Sequence, residues 1–334
     1  WIKLNTNENP YPPSPLVAEA IQKAAAGRLN LYPDPLATGF RRIAAEVYGV
    51  DHEQILPTNG SDEVLTIITR SFTGTGDLIA YPYPSYILYE TLADLQNVSH
   101  QRLILDSDWN WSAERAAPVI SRAKAVFVPN PNSPSGNCWS EAQITELVPP
   151  QGVLVLDGAY ADFADEPQSA KILDSEIGDR LVLTRTFSKS YSLAGIRFGF
   201  AIARPEMIAG LRKVKDSYNC DSISLAAATA AISDQQWMLA NVERIRATRG
   251  WLTGQLRELG FSPTPSQANF VWTTHPSGRH HDIYQSLKAK KILVRYMKFP
   301  GVDWAEGRTL DGLRITIGTR EEVEACVNAL REIV

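Results

Sequence analysis

Two stretches decide the fold: GVLVLDGAYADF (152–163) and RLVLTRTFSKSYSLAGIRFGF (180–200). Each opens with a short Val- and Leu-rich run and then breaks into small and polar residues. Three further runs are DLIAYP (77–82), AVFVP (125–129) and RFGFAIA (197–203). Strands of this kind suit a mostly parallel sheet covered on both faces. Helical patterns lie around them. Ser14 and Pro15 precede LVAEAIQKAAAG as an N-cap and a first-turn proline, closed by Gly27. A second helix is expected over 36–48, ending at Gly49, and Ser140 with Gln143 predicts a capping box for a helix over 141–148.

The tail reads differently. An amphipathic helix over 235–259 ends at Gly260, and NFVWTT, a helix near 281–291, ILVRYM, LRITIG and a last helix over 320–333 follow. The expected fold class is therefore α/β: a large domain with a mostly parallel sheet between helices, and a smaller α+β domain. The expected boundaries are an N-terminal arm (1–34) joining the small domain, a large domain (35–235) and the small C-terminal domain (236–334).

Composition narrows the function classes. The 334 residues carry 33 Lys plus Arg against 37 Asp plus Glu, a net charge of −4. That balance argues against a nucleic-acid binder. No apolar run approaches bilayer length, and no signal peptide is expected. Three widely spaced cysteines (Cys138, Cys220, Cys326) suit a reducing cytoplasm without a disulfide framework. The five histidines lack metal-ligand spacing, so no metal is expected. Trp109 and Trp111 read as surface or interface packing.

Ligands of open α/β sheets sit beyond the carboxyl ends of the strands. Three such ends carry unusual polar groups: Asp157 with Tyr160, Ser188 with Lys189, and NPNSPSG (130–136). Taken singly, a lysine after a strand is usually a solvated surface residue, and Asp157 could cap a helix. Converging on one crevice, they suit a pyridine aldehyde cofactor. Lysine would be the Schiff-base nucleophile, aspartate would pair with the ring nitrogen and tyrosine would bond the ring hydroxyl.

These residues also carry a resemblance. TRTFSKSYSLAGIRFGF (184–200) resembles the lysine segment of fold type I pyridoxal-phosphate-dependent aminotransferases. The resemblance extends in order through LNTNENPYPPSP (4–15), YPDP (32–35), NGSDE (59–63), YPSYILY (83–89), NPNSPSG, LDGAYADF (156–163), QANFV (267–271), ILVR (292–295) and LRITIGTREE (313–322). The opening and closing motifs are similar to those of the histidinol-phosphate aminotransferase branch.

The resemblance implies pyridoxal 5′-phosphate as cofactor, with Lys189 forming the aldimine, Asp157 at the ring nitrogen, Tyr160 at the ring oxygen and Tyr86 stacked on the ring. Backbone N–H groups of Ser61, Asp62 and Glu63, with Ser188 and Arg197, would hold the phosphate, the two acidic side chains turning away. Tyr32 would reach the neighbouring site of a homodimer. Arg314 would grip a carboxylate, Arg295 would be a second anion contact, and Asn7 or Asn9 would line the substrate pocket, although Glu-Asn-Pro is also plain turn chemistry.

Two positions depart from the family pattern. Ser133 replaces an asparagine beside the ring oxygen, leaving that contact to Tyr160 or Asn132, and Gly158 stands where an acid is usual. The implied reaction exchanges histidinol phosphate and 2-oxoglutarate for imidazole acetol phosphate and glutamate. A threonine-phosphate decarboxylase and an aromatic or broad-range aminotransferase are alternatives on the same scaffold. A non-catalytic binding module would need a DNA-binding segment or a dinucleotide glycine fingerprint, and neither is present in this sequence.

Overall fold

The chain is described by a computed structural model covering residues 1–302 and 309–334. A two-residue strand, β1 (Ile2–Lys3), precedes the seven strands of the main sheet. These are β2 (Ile55–Thr58), β3 (Leu78–Tyr83), β4 (Ser99–Ile104), β5 (Ala125–Pro129), β6 (Val153–Asp157), β7 (Leu181–Thr186) and β8 (Gly199–Ile202). Their spatial order is β2-β8-β7-β6-β5-β3-β4. Strands β3 to β7 run parallel, as their unbroken apolar character predicts.

RFGFAIA is the exception within that set. Its strand, β8, runs antiparallel to both β7 and β2. Two strands have no counterpart in the sequence reading. β4 is an edge strand whose residues alternate between exposed and partly buried, and β2, at the other edge, contains Pro57.

Helices surround the sheet: α1 (Pro15–Ala25), α2 (Thr38–Tyr48), α3 (Ser61–Phe72), α4 (Leu88–Gln96), α5 (Ala113–Ile120), α6 (Glu141–Thr145), α7 (Pro205–Arg212) and α8 (Ser222–Ser233). Ser14 caps α1 through Leu16 N–H, and the helix ends at Ala26, one residue before Gly27. Gly49 closes α2 in the left-handed region, at φ 66°. The Ser140–Gln143 capping box forms, but α6 stops at Thr145 rather than 148. Trp109 and Trp111 are core residues rather than surface ones. Trp109 meets Trp272 edge-to-face and Trp111 packs on Trp139.

The C-terminal part starts with α9 (Gln235–Glu258) and builds a four-stranded sheet of order β12-β13-β10-β9 from β9 (Ser262–Pro263), β10 (Phe270–Thr274), β12 (Arg295–Phe299) and β13 (Leu310–Thr316). The short β11 (Ile292–Leu293) pairs in parallel with β1. Helices α10 (His280–Ala289) and α11 (Arg320–Ile333) pack on each other. The N-terminal segment lies along this part: Leu4 is fully buried and its carbonyl accepts from Thr316 N–H at 3.0 Å. Helix α1 instead packs on α8.

Register fixes where polar groups emerge. Pro129 pairs with Asp157 and Asp157 with Thr184, so the ends of β5 and β6 lie level and β7 runs two residues further, to Thr186. Immediately after β6, Gly158 lies so close to the backbone that a Cβ there would sit 2.7 Å from Thr184 O and inside the Arg185 guanidinium. This close approach leaves no room for a side chain at position 158. Gly158→Ala is expected to destabilise the protein by about 1–3 kcal/mol through overpacking, read as a lowered denaturant midpoint with unchanged slope; an unchanged midpoint contradicts the crowding.

Candidate active site

A cleft of about 760 Å³ opens at the carboxyl ends of β3, β5, β6 and β7, and β12 and β13 form its opposite wall. Twelve of the residues singled out from sequence line it: Asn7, Ser61, Asp62, Tyr86, Ser133, Asp157, Tyr160, Ser188, Lys189, Arg197, Arg295 and Arg314. Four do not. Glu63 turns its carboxylate back to the Asn59 N–H (2.6 Å) and to Asn219 Nδ2 (2.9 Å). Asn132 is buried, donating to Pro84 O and Ser135 Oγ. Asn9 braces the backbone behind the lysine, and Tyr32 is 80% exposed, stacked on Tyr218 at 4.4 Å.

Asp157 is buried at the end of β6. Its carboxyl accepts from Tyr89 Oη at 2.8 Å, Thr184 Oγ1 at 3.1 Å and Ala159 N–H at 3.2 Å. Burial pushes its pKa up and these three donors oppose that rise. Tyr89 and Thr184 were not read from the sequence as site residues. Tyr89 lies on α4, 68 residues from its partner, where an aromatic reads as core.

Lys189 follows β7 and is half-buried, its Nζ donating only to Thr6 O, at 3.4 Å. The Tyr160 ring is 5.8 Å from that nitrogen. Tyr86 faces the cleft 38% exposed, and burial raises the pKa of its phenol, with Asp62 adding to the rise.

At one end lies the N-terminus of α3. Its N-cap is Gly60 (φ 81°), and no side chain caps the helix. A Cβ on Gly60 would come within 3.0 Å of Arg197 Nη2, and one on Gly199 within 2.6 Å of Ser61 N. Both glycines thus let an arginine and a helix end close on one small space. Arg197 Nη1 also donates to Ser188 Oγ at 3.2 Å. Uncapped N–H groups, a guanidinium and a hydroxyl form an anion cradle. The expectation that both acidic side chains turn away holds for Glu63 and fails for Asp62. Asp62 lies 3.7 Å from Arg197 Nη2 and accepts from Tyr86 Oη at 3.4 Å, so opposite charge and a phenol donor turn its carboxylate toward the cleft.

On the opposite wall, Arg295 and Arg314 face each other directly across β12 and β13. Like charges at such a pair are destabilising. Arg314 shows it: burial lowers its pKa, and Arg295 lowers it further. Arg314 Nη1 donates to Ser133 Oγ at 3.0 Å and Nη2 to Asn5 O at 3.3 Å, while Nε is buried with no partner. Ser133 is therefore tied to an arginine.

The segment 5–9 ties three of these groups together: Arg314, Lys189 and Tyr160. Asn5 O meets Arg314, Thr6 O meets Lys189, Asn7 Nδ2 donates to Tyr160 Oη at 2.9 Å, and Asn9 Nδ2 donates to the carbonyls of Lys189 (3.0 Å) and Ser190 (3.2 Å). Asn9 is thus a brace for the lysine loop rather than a pocket residue. Among the described residues no cluster of His, Cys, Asp or Glu could hold a metal, and no helix is long and apolar enough to cross a membrane.

Residues 1–330 match the family described as aminotransferase class I and II. The chain belongs to the class I and II aminotransferases. Among curated aminotransferases of this family, the histidinol-phosphate aminotransferase of Rhodopirellula baltica is 51% identical over 98% of this chain and 88% of its own length. That of Citrifermentans bemidjiense is 46% identical over 100% of this chain and 92% of its own. The solved histidinol-phosphate aminotransferase from Sinorhizobium meliloti, in complex with pyridoxal-5′-phosphate, shares the aminotransferase fold. Its TM-score is 0.87 at 23% identity, covering 99% of this chain and 91% of that one.

The donor set fits such a cofactor. A half-buried amine, a buried carboxyl, a phenol, a cleft-facing aromatic ring and an anion cradle occupy one cavity. Because the pKa of Asp157 is raised in the folded state, its contribution to stability is complete below its unfolded value near 3.9 and is lost as pH rises through the folded value. The cofactor-free protein is expected to lose stability over that window, and cofactor-free Asp157→Asn to lose less, followed as melting temperature against pH. Parallel curves for the two proteins refute this.

Proposed function

We propose that this chain is a pyridoxal-phosphate-dependent transaminase that interconverts histidinol phosphate plus 2-oxoglutarate and imidazole acetol phosphate plus glutamate. The observation that carries the reading is the Arg295–Arg314 pair on the wall opposite Asp157 and Lys189. Two guanidinium groups held opposite each other, one with an unpartnered Nε, are relieved by an anion. Glutamate presents carboxylates and histidinol phosphate presents a phosphate, so one pair can serve both partners of a two-donor reaction. Relatives named histidinol-phosphate aminotransferase, matched over nearly all of this chain, support this substrate over the alternatives.

Pyridoxal 5′-phosphate would supply imine exchange at its aldehyde and a ring able to take up an electron pair. The chain's own residues supply the rest. Backbone N–H groups of Ser61, Asp62 and Glu63, with Ser188 and Arg197, would hold the phosphate, and Tyr86 would stack on the ring. Asp157, fixed by its three donors, would hold a proton at the ring nitrogen. Tyr160 donates to the ring oxygen. Lys189 Nζ removes the proton from the substrate Cα and returns it one position away, as base and then acid. Arg314 fixes the carboxylate or phosphate end, so that the Cα–H bond meets Lys189.

Tyr32 stands away from this cleft on an exposed apolar surface with Leu29, Leu31 and Tyr218. That supports a homodimer in which Tyr32 completes the neighbour's phosphate site. The two-part division at 34 and 235 is part of the same reading.

Lys189→Ala is expected to abolish the visible cofactor band and its loss on borohydride treatment; a retained band sinks the assignment. With histidinol phosphate and 2-oxoglutarate the enzyme should form glutamate stoichiometrically, whereas CO₂ release from threonine phosphate would identify a decarboxylase. Arg314→Lys is expected to lower kcat/KM for glutamate by roughly 10- to 100-fold, the loss of about 1.5–3 kcal/mol of charge-assisted hydrogen bonding.

A further inference from the structure

Asn7 is 1% exposed and adopts φ 56°, in the left-handed region that asparagine tolerates better than most residues. Each of its polar groups is engaged. The backbone N–H donates to Thr316 Oγ1 at 3.0 Å, and the backbone carbonyl accepts from Asn269 Nδ2 at 2.9 Å. In the side chain, Oδ1 accepts from Thr316 Oγ1 at 2.9 Å and Nδ2 donates to Tyr160 Oη at 2.9 Å.

The direction of this chain of hydrogen bonds is fixed by proton counting. Thr316 is buried and has one hydroxyl proton. Its oxygen already accepts from Asn7 N–H, and among the described residues the one acceptor its proton meets is Asn7 Oδ1. Turning the amide round would leave that buried proton without a partner, at a cost of about 1–3 kcal/mol. Nδ2 therefore faces Tyr160, and Tyr160 Oη must accept. The phenol proton is then committed to another direction. Among the described residues Tyr160 Oη makes no other hydrogen bond, and its ring lines the cleft.

We propose that Asn7 is a positioning residue: by donating to Tyr160 Oη it aims the Tyr160 hydroxyl proton into the cleft, at the ring oxygen of the cofactor. The proposal rests on the cofactor reading above. It gives a physical reason why Tyr160 serves the ring oxygen alone in this chain, where Ser133 replaces an asparagine and is held by Arg314. Asn7 touches neither substrate nor cofactor in this role; it acts through Tyr160.

The test uses the cofactor-loaded enzyme and reads the pH midpoint of the visible lysine–cofactor chromophore. A hydroxyl donating to the ring oxygen stabilises its negative charge and makes the neighbouring imine nitrogen less basic. Tyr160→Phe removes the donor and should raise the midpoint by about one unit, tenfold in proton affinity. Asn7→Asp can only accept, so it draws the phenol proton to itself and should raise the midpoint to a similar extent. Combining Asn7→Asp with Tyr160→Phe should give no further shift. Thr316→Val removes the proton that fixes the amide and should shift the midpoint the same way by less, without introducing charge. A wild-type midpoint in both the Asn7 and the Thr316 variants overturns the proposal, as does an additive double variant, which would show a charge effect independent of Tyr160. Failure of the cofactor reading itself looks different: wild-type protein then forms no borohydride-sensitive band, and there is no midpoint to compare.

Discussion

An ionisable group sealed at the end of a parallel strand is costly to charge unless its surroundings supply donors. Asp157 is such a group, and much of the architecture follows from keeping it usable. The parallel register of β6 and β7 places Thr184 beside it, the turn through Gly158 returns Ala159 N–H to it, and α4 lowers Tyr89 onto its second oxygen. Each partner comes from a different element. The carboxyl therefore sits at a point where sheet register, a turn without room for a side chain, and helix placement must all agree.

The anion-binding groups obey a complementary logic. A chain with net charge −4 concentrates positive ends in one cleft: the start of α3 with Arg197 at one side, and Arg295 with Arg314 at the other. Within the protein these groups are imperfectly matched. Arg197 donates to Ser188 Oγ and Ala194 O and has Asp62 as its counter-charge at 3.7 Å among the described residues, and Arg314 keeps a buried Nε without a partner among them. Polar groups left short of partners inside a fold are costly, and they mark where binding energy is available. Global charge says nothing about local sites of this kind.

The main elements of the fold were legible because buried parallel strands have a distinctive composition, and Lys189, Asp157 and Tyr160 were legible because strand ends point to one edge. What escaped did so for identifiable reasons. β4 mixes Ser, His, Gln and Arg because an edge strand is half solvated, and β8 carries the same apolar run whichever way it points. Tyr89 and Thr184 act through contacts that no local pattern encodes. Asn7 and Asn9 sit in a Glu-Asn-Pro stretch whose turn chemistry conceals bonds to partners 153 and 180 residues away. Trp109 and Trp111 belong to a sequence that reads as surface, and only the meeting with Trp272 and Trp139 encloses them.

The pairing of Asn7 with Thr316 spans 309 residues. Contacts of such separation form only after the intervening chain has been ordered, and they are costly in loop-closure entropy. During synthesis from the N-terminus, residues 5–9 leave the ribosome long before β13 exists. The sheet can assemble and present Asp157 and Lys189 while the segment that braces them still has no anchor. The cleft thus closes on its N-terminal brace only once β13 has been made, and a chain that stops short of it carries the reactive lysine without the partners that direct its chemistry.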